Sequence, residues 1–437
     1  MSTESGRRGV NGVVAVLAAL ALLGVGVMLV TPGPGPVRVE GQAMSGATRH
    51  VQGSPPASSP ASASPSSLPG SGSSSSPASA LPSSPASASP SDSPPVFSGF
   101  PAVFSGFPAP ALPGARPASS AGAASLPGSG LIGFAAPELL GDSSGVQLQQ
   151  LAQMKSMGMT TVRVDANWFV GEPAQGNFNW SALDGIMASV HQAGLTADLI
   201  IDGCPPWAAA AGASGQFAQP ASPSQFGAWA AAVAARYGSV GADYFEIWNE
   251  PNNPAFWSPA PNPAAYTADL IAAYPAIKAV DPAAVVLTGG LAPQADTSNS
   301  YDIVTFFADM YADGAQGSFD AVGDHPYTFP ADPGTVSQGA WAEMDQTSVS
   351  LRSLMTAHGD AAKKIWITEF GAPTGTVTDA QQATELTQAI AAAKSTSWIG
   401  AFYIYTWSDQ FGGEGFGLLD SSGQPKPAYT AVTALTA

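Results

Sequence analysis

The sequence has few of the residues that form disulfides and metal sites. Of its 437 residues one is a cysteine, Cys204, and four are histidines. A single cysteine excludes an intramolecular disulfide, and so few Cys and His ligands argue against a structural zinc site. We therefore expect a fold that depends on a sizeable apolar core, and a function that needs neither a metal nor an organic cofactor.

Charged residues are also scarce. Only 10% of the residues are charged, just 14 are Lys or Arg, and the net charge is −17. The basic residues are scattered and form no stripe, whereas nucleic-acid-binding domains carry clustered basic residues. The composition therefore argues against a nucleic acid partner and suits a neutral ligand better.

The first 35 residues are typical of an export signal. Arg7 and Arg8 precede an apolar stretch, residues 13–30, that is long enough to cross a bilayer as a helix. The letters "TPGPGP" follow it instead of an immediate small-x-small site, which favours an uncleaved anchor, with cleavage at residues 41–43 as the alternative. Because the arginines stay cytoplasmic, we expect the remainder on the extracellular face of the membrane or secreted, in a bacterial cell envelope.

Residues 36–129 are dominated by Ser, Pro, Ala and Gly. A segment of this composition cannot bury enough apolar surface to fold, so it predicts a disordered linker. Its prolines favour the extended polyproline II conformation, and the stretched linker would reach on the order of 200 Å from the membrane. That reach suits a tether through a cell wall.

From residue 130 onward, apolar runs alternate with helical patterns. Eight runs are candidate strands: "LIGFA" from 131, "TTVRVDANW" from 160, "LTADLIID" from 195, "DYFEIWNE" from 243, "VVLTGGLA" from 285, "FDAVGDHPY" from 319, "KIWITEFGA" from 364 and "IGAFYIYTWSD" from 399. The candidate helices cover 146–157, 180–193, 222–237, 262–280, 300–313, 339–358, 378–396 and 426–436.

Near-continuous apolar strands that alternate with helices predict an α/β fold with a parallel sheet covered by helices. Eight such units in about 300 residues indicate a (β/α)8, or TIM, barrel over residues 130–437. An open doubly wound sheet is the main alternative. No Gly-rich nucleotide-binding turn follows the first strand to support it.

Polar residues are concentrated at the C-terminal ends of the candidate strands, where the active site of a barrel lies. Glu250 ends the fourth strand and Glu369 lies near the end of the seventh. Glycosidic bond cleavage requires a carboxylic acid that protonates the leaving oxygen and a second carboxylate on the other side of the sugar. The pair therefore predicts a glycosidase. Asn249 would hold a sugar 2-hydroxyl, and Trp207 and Trp407 would offer flat faces to sugar rings.

Two of these segments, "WNEPN" at 248–252 and "ITEFGAP" at 367–373, resemble signatures of the clan of (β/α)8 retaining glycoside hydrolases that includes the family 5 cellulases and family 39. "EPAQGNFNWSALD" at 172–184 and "GFGLLDSSGQPKPAY" at 415–429 are also similar to segments of that clan. The resemblance extends from Leu131 to the C-terminus.

The resemblance implies that Glu250 is the acid/base and Glu369 the nucleophile of a double displacement that retains the anomeric configuration. Further residues match positions of the clan: Arg163 and Tyr327 match partners of the nucleophile, Asn249 matches the 2-hydroxyl contact, and His325 and Trp407 match subsite residues. Arg163 as a plain ion pair inside the barrel is the alternative. Glu246 is expected to be buried with a partner, and Asp202 and Cys204 to be structural.

The third strand ends in "CPPW" at 204–207, which is closer to the "TPxW" of family 39 relatives than to the His usual in family 5. We therefore expect a family 39-like, monomeric glycosidase that acts on a bacterial exopolysaccharide or cell-wall polysaccharide. β-Glucosides, β-mannosides, β-xylosides and arabinofuranosides remain open as substrates. The alternative functions are a non-catalytic carbohydrate-binding wall tether and a transglycosylase that uses the same residues.

Overall fold

The computed structural model describes residues 130–437, and within that range eight parallel strands close into a barrel. The strands follow one another in chain order around the ring, and β8 pairs with β1. This confirms the predicted (β/α)8 barrel, and the open doubly wound sheet is wrong because a closed ring has no edge strands. The predicted membrane segment and the Pro/Ser/Ala linker lie outside the described residues.

Each strand coincides with one of the apolar runs. The strands are β1 (Leu131–Ala135), β2 (Thr161–Asp165), β3 (Thr196–Ile201), β4 (Ala242–Asn249), β5 (Val285–Gly290), β6 (Ala321–Asp324), β7 (Lys364–Phe370) and β8 (Ile399–Tyr405). The α-helices are Ser144–Ser156, Trp168–Gly171, Ser181–Ala193, Pro223–Tyr237, Pro263–Val280, Ile303–Ala312, Ala340–Glu343, Leu351–Ala357, Asp379–Ser395 and Pro427–Thr436. Among the helices of residues 130–437, none combines the length and the apolar character needed to cross a bilayer.

Local sequence signals explain where the covering helices begin. The Asn262 side chain accepts a hydrogen bond from the Ala265 amide, and Pro263 occupies the first helical turn, where its missing N–H costs nothing. Thr378 and Gln381 form a reciprocal capping box at the start of Asp379–Ser395. These caps satisfy backbone donors that the helix itself leaves without partners.

The helix predicted over 339–358 is wrong in its middle part. The chain forms two short helices there, Ala340–Glu343 and Leu351–Ala357. Ser350 is extended, with φ −138° and ψ 164°, and its hydroxyl accepts a hydrogen bond from the Ser353 amide. Serine side chains that bond to nearby backbone compete with helix formation, so Ser350 begins a new helix where the sequence pattern suggested a continuous one.

Alternate side chains of the strands point into the barrel and fill it in layers. Tyr244 and Trp366, near the starts of β4 and β7, pack edge to face with 4.9 Å between their ring centroids. Arg163 and Glu246 are buried one layer closer to the C-terminal ends of the strands. The barrel is therefore closed by aromatic rings at one end and carries its polar groups toward the other.

Candidate active site

Glu369 lies near the end of β7 in the mouth of the barrel and is 5% exposed. Nη1 of Arg163 donates to its Oε1 at 2.6 Å, and the Tyr327 hydroxyl donates to its Oε2 at 2.8 Å. Burial alone would raise the pKa of this carboxyl, but attraction by His325 and Arg163 and the two hydrogen bonds outweigh it and lower the pKa of Glu369. Glu369 is therefore held as a carboxylate.

Arg163, on β2, connects the barrel interior to the mouth. Its Nε and Nη2 donate to the two carboxylate oxygens of Glu246 at 2.6 and 3.0 Å. Nη2 also donates to Oδ1 of Asn249 at 2.8 Å, while Nη1 holds Glu369. The Gly290 amide donates to Glu246 as well. Arg163 therefore forms an ion pair with the buried Glu246 and is also the cation beside Glu369. Both sequence-based interpretations of this residue, an ion pair inside the barrel and a partner of Glu369, hold.

Glu250 follows β4 directly and is 7% exposed. Its Oε1 lies 3.0 Å from Nδ1 of His325, and Nδ2 of Asn253 donates to its Oε2 at 2.7 Å. The backbone leading to it is unusual, with φ of +71° at Trp248 and +45° at Glu250. Positive φ values in residues with a Cβ cost about 1–3 kcal/mol each and are concentrated at functional sites. The strained backbone thus lies at the residue whose carboxyl group, that of Glu250, points into the mouth of the barrel.

Glu250, His325 and Glu369 come together although they lie on three separate strand ends. One side-chain nitrogen or oxygen from each lies within 4.8 Å of the others, so carboxylate oxygens of the two glutamates are no further apart than that. Nδ1 of His325 is 3.7 Å from Oε2 of Glu369. A Cβ on Gly290 would lie 2.1 Å from Nε2 of His325, so only glycine at that position leaves room for the ring.

The same three side chains are of the types that bind divalent metals. Both carboxylate oxygens of Glu369 already accept hydrogen bonds, and one of them lies 2.6 Å from the Arg163 guanidinium. A second cation between the carboxylates would be repelled by this guanidinium. The set of side chains therefore matches acid and base chemistry better than metal binding.

Asn249, the last residue of β4, is placed where a sugar next to Glu369 could reach it. Its Oδ1 accepts the hydrogen bond from Arg163, which fixes the orientation of the amide. Within residues 130–437, Nδ2 of Asn249 donates to no protein atom. The free donor is consistent with the predicted contact to a sugar hydroxyl.

The two tryptophans predicted to contact sugar differ in exposure. Trp207 is half-buried after β3, where its Nε1 donates to the Glu172 carbonyl and its ring packs on Trp168 at 5.4 Å. Trp407 has no exposed surface, and its ring packs edge to face on Phe134 with 5.3 Å between centroids. Trp407 therefore offers no face to a sugar. β8 ends at Tyr405, so strand alternation does not extend to Trp407.

Two residues at the mouth were missed in the sequence. Tyr405 ends β8 and belongs to the aromatic cluster inside the barrel; burial and the Glu369 charge raise the pKa of its hydroxyl. Counting inward positions back from the strand end would have indicated it in place of Trp407. Asn253, three residues after Glu250, carries no signal of its own, because its contact depends on how the chain turns after Pro251.

The fold and these motifs can be compared with known proteins. The family model for Cellulase (glycosyl hydrolase family 5) matches residues 130–406. No curated protein sequence matches the chain. A family 39 glycoside hydrolase from Bacteroides cellulosilyticus WH2 superimposes with a TM-score of 0.54 and 20% identity, over 71% of this chain and 63% of that chain.

Two more solved structures are similar. A monomeric beta-xylosidase from Caulobacter crescentus CB15 gives a TM-score of 0.52 and 20% identity, over 70% of this chain and 67% of that chain. A GH5_18 protein from Bifidobacterium longum subsp. longum, in complex with Manb1-4GlcNAc, gives 0.52 and 14% identity, over 70% of this chain and 77% of that chain. At these identities the likeness shows a shared fold.

The barrel, the facing glutamates and the family match lead to the same assignment. The family model covers more than half of the chain and includes both Glu250 and Glu369. The resemblance to the clan of families 5 and 39 is thereby confirmed at the level of sequence family and of fold. The chain belongs to glycosyl hydrolase family 5 and is a glycoside hydrolase.

Proposed function

We propose that the protein is a retaining glycosidase that cleaves β-linked sugars of an extracellular or cell-wall polysaccharide, with Glu369 as nucleophile and Glu250 as acid/base. The observation that carries this proposal is the short distance between the two carboxyl groups, whose nearest oxygens lie within 4.8 Å. Retaining enzymes separate their carboxyl groups by about 5–5.5 Å, whereas inverting enzymes need about 6.5–9.5 Å to admit a water.

The reaction has two steps, formation of a glycosyl-enzyme intermediate and its hydrolysis. Glu369 attacks the anomeric carbon while Glu250 gives its proton to the leaving oxygen, so a glycosyl-enzyme ester forms and the glycosidic bond breaks. Glu250, now a carboxylate, then removes a proton from water. The water oxygen attacks the anomeric carbon from the opposite side, Glu369 leaves, and the configuration of the substrate is restored.

The contacts of Glu369 support its role as nucleophile. Arg163 and Tyr327 hold it ionised and fix both of its oxygens, which leaves it oriented before substrate arrives. Asn249 supplies a free amide donor for the sugar 2-hydroxyl, a contact that strengthens toward the transition state. Trp207, half-exposed at the rim, supplies an apolar face for a neighbouring sugar.

The proposed substrate class is supported by the solved neighbours and by the N-terminal sequence. The solved neighbours include a protein named as a beta-xylosidase and one complexed with Manb1-4GlcNAc, and both names refer to neutral β-linked sugars. The apolar stretch after Arg8 and the Ser/Pro/Ala-rich segment support a location outside the cell, tethered to the membrane or secreted. We propose that the protein acts there as a monomer on wall or capsule glycan.

The full chain should be tested against 4-nitrophenyl β-glucoside, β-mannoside, β-xyloside and α-arabinofuranoside, and against polysaccharides of the same sugars. Proton NMR of the first-formed product should show the anomer of the substrate; an inverted product would overturn the mechanism. Products longer than the substrate would indicate transglycosylation. Binding without cleavage of any substrate would indicate a carbohydrate-binding tether.

A further inference from the structure

Two carboxyl side chains beside the glutamate pair, Asp165 and Asp202, have no part in this mechanism. Asp165 ends β2 two residues after Arg163, so both side chains point into the barrel and Asp165 lies one layer nearer the mouth. Its partner across the sheet is Ile200 of β3. Asp202, two residues beyond Ile200, is therefore the next acidic residue around the rim.

The surroundings of Asp202 leave one of its oxygens unused. Asp202 has no exposed surface, Nδ2 of Asn167 donates to its Oδ1 at 2.9 Å, and its Oδ2 has no hydrogen-bond partner among the described residues. A Cβ on Gly203, whose φ is +72°, would lie 2.6 Å from the Asn167 side chain. The close approach at Gly203 thus places the Asn167 side-chain amide against Asp202.

The charge states of the two residues differ. Burial raises the pKa of Asp202 well above its usual range and the Asp165 charge raises it further, which favours the protonated form of Asp202. Burial also raises the pKa of Asp165, to about 6, against the opposing attraction of Arg163, so Asp165 is mainly ionised at neutral pH. A protonated Asp202 needs an acceptor for its O–H, and Asp165 is the acidic residue whose charge acts most strongly on Asp202.

The Asp165 carboxylate has hydrogen-bond acceptor sites that no side chain among residues 130–437 uses. It is half-buried, and in the described part of the chain no side chain donates to its carboxylate. A carboxylate offers about four lone-pair sites. One hydrogen bond from Asp202 would orient the group and still leave sites directed at the cleft.

We propose that Asp165 is a specificity-determining residue that accepts hydrogen bonds from hydroxyl groups of the sugar ring held over Glu369, and that Asp202 is the positioning residue behind it. This inference rests on the proposed function and narrows its substrate class. The ring bound there is a neutral sugar with at least one free hydroxyl facing Asp165. A uronic acid is excluded, because its carboxylate would meet the Asp165 charge at close range.

The contact between Asp165 and the sugar can be measured by binding alone, in a variant that does not cleave the glycan. In the full chain carrying Glu369→Gln, calorimetry should measure the Kd of cello-, manno-, xylo- and laminari-oligosaccharides and of an aldobiouronic acid. The same titrations are repeated after adding Asp165→Asn, Asp165→Ala or Asp202→Asn, with Asp313→Asn on the exposed surface as control. Thermal melting checks that each variant folds. Singly deoxygenated analogues of the best ligand then locate the hydroxyl.

We expect Asp165→Ala to weaken binding of the neutral glycan about 10- to 100-fold, the range of a hydrogen bond to a charged group. Asp165→Asn should weaken it less, Asp202→Asn least, and one deoxy analogue should bind equally with and without Asp165. Unchanged affinity in Asp165→Ala, an equal loss for every deoxy analogue, tight binding of the acidic sugar, or no binding of any neutral glycan would each overturn the proposal. Binding without turnover by the unmutated chain would overturn the proposed function and leave this inference standing.

Discussion

Glu369 and Glu250 are buried to nearly the same extent, 5% and 7% exposed, and each carboxyl group has two close polar partners. The kinds of partner differ. Glu369 is held by a guanidinium and a phenol, whereas Glu250 is held by an amide and an imidazole. Arg163 is charged at any pH the protein meets, so Glu369 has a permanent counter-ion. Neither partner of Glu250 is a permanent cation.

The backbone around the two glutamates differs as well. Glu369 lies within β7, at an irregularity in the pairing with β8 between Ile367 and Phe370, while Glu250 stands just beyond β4 on a segment with two positive φ values. A nucleophile must be ionised and fixed in position before it attacks, and an acid/base must exchange a proton and meet both the leaving oxygen and the incoming water. The comparison teaches that the hydrogen-bonding partners of the two glutamates, more than their depth of burial, determine which one acts as nucleophile and which as acid/base.

The largest effect is expected from Glu369→Gln, which removes the nucleophile and keeps its shape. We expect kcat to fall about 10⁴-fold or more, the size of loss seen when a hydrolase loses its catalytic nucleophile. The measurement is kcat on the best aryl glycoside, with thermal melting to show that the domain still folds. Glu385→Gln is the matched control, because Glu385 is equally buried but lies on the outer helix Asp379–Ser395. Activity above about 1% in Glu369→Gln would contradict the assignment.

Glu250→Ala should lower the rate by an amount that depends on the leaving group. A general acid contributes about 10²–10⁴-fold, and glycosides of acidic phenols need little of that help, so alkyl glycosides should lose far more than 4-nitrophenyl glycosides. Azide, which attacks without giving up a proton, should restore turnover and yield a glycosyl azide of retained configuration. Equal losses for all leaving groups would assign Glu250 another role and erase the contrast with Glu369.

Sequence patterns predicted the barrel and both glutamates because the relevant signals are local. Apolar runs and helical periodicity reveal strands and helices one at a time, and eight such units indicate one closed topology. Glu250 and Glu369 could be paired in advance because the C-terminal ends of all barrel strands meet on one rim. The buried partner expected for Glu246 is Arg163.

Other features depend on tertiary contacts that no local pattern carries. Trp407 looked like a sugar platform because of its residue type, but the strand ends before it and its ring turns into the apolar layer. Asn253 reaches Glu250 only through the turn after β4. Asp202 was expected to be structural; its unused oxygen and its nearness to Asp165 emerge only once two strands are side by side.

The smallest effect, and the sharpest test of the contrast, is expected from Tyr327→Phe. The phenol donates to Glu369 and lowers its pKa, so its removal should raise that pKa and move the acid limb of kcat/KM to higher pH. Below that limb Glu369 is protonated and cannot attack, hence the loss grows as pH falls. At the optimum we expect about a 10-fold decrease, the worth of one hydrogen bond to a charged group. Tyr311→Phe, which removes a phenol bound to Asp360, should leave the profile in place. An acid limb unmoved in Tyr327→Phe would mean that His325 and Arg163 keep Glu369 ionised without the phenol.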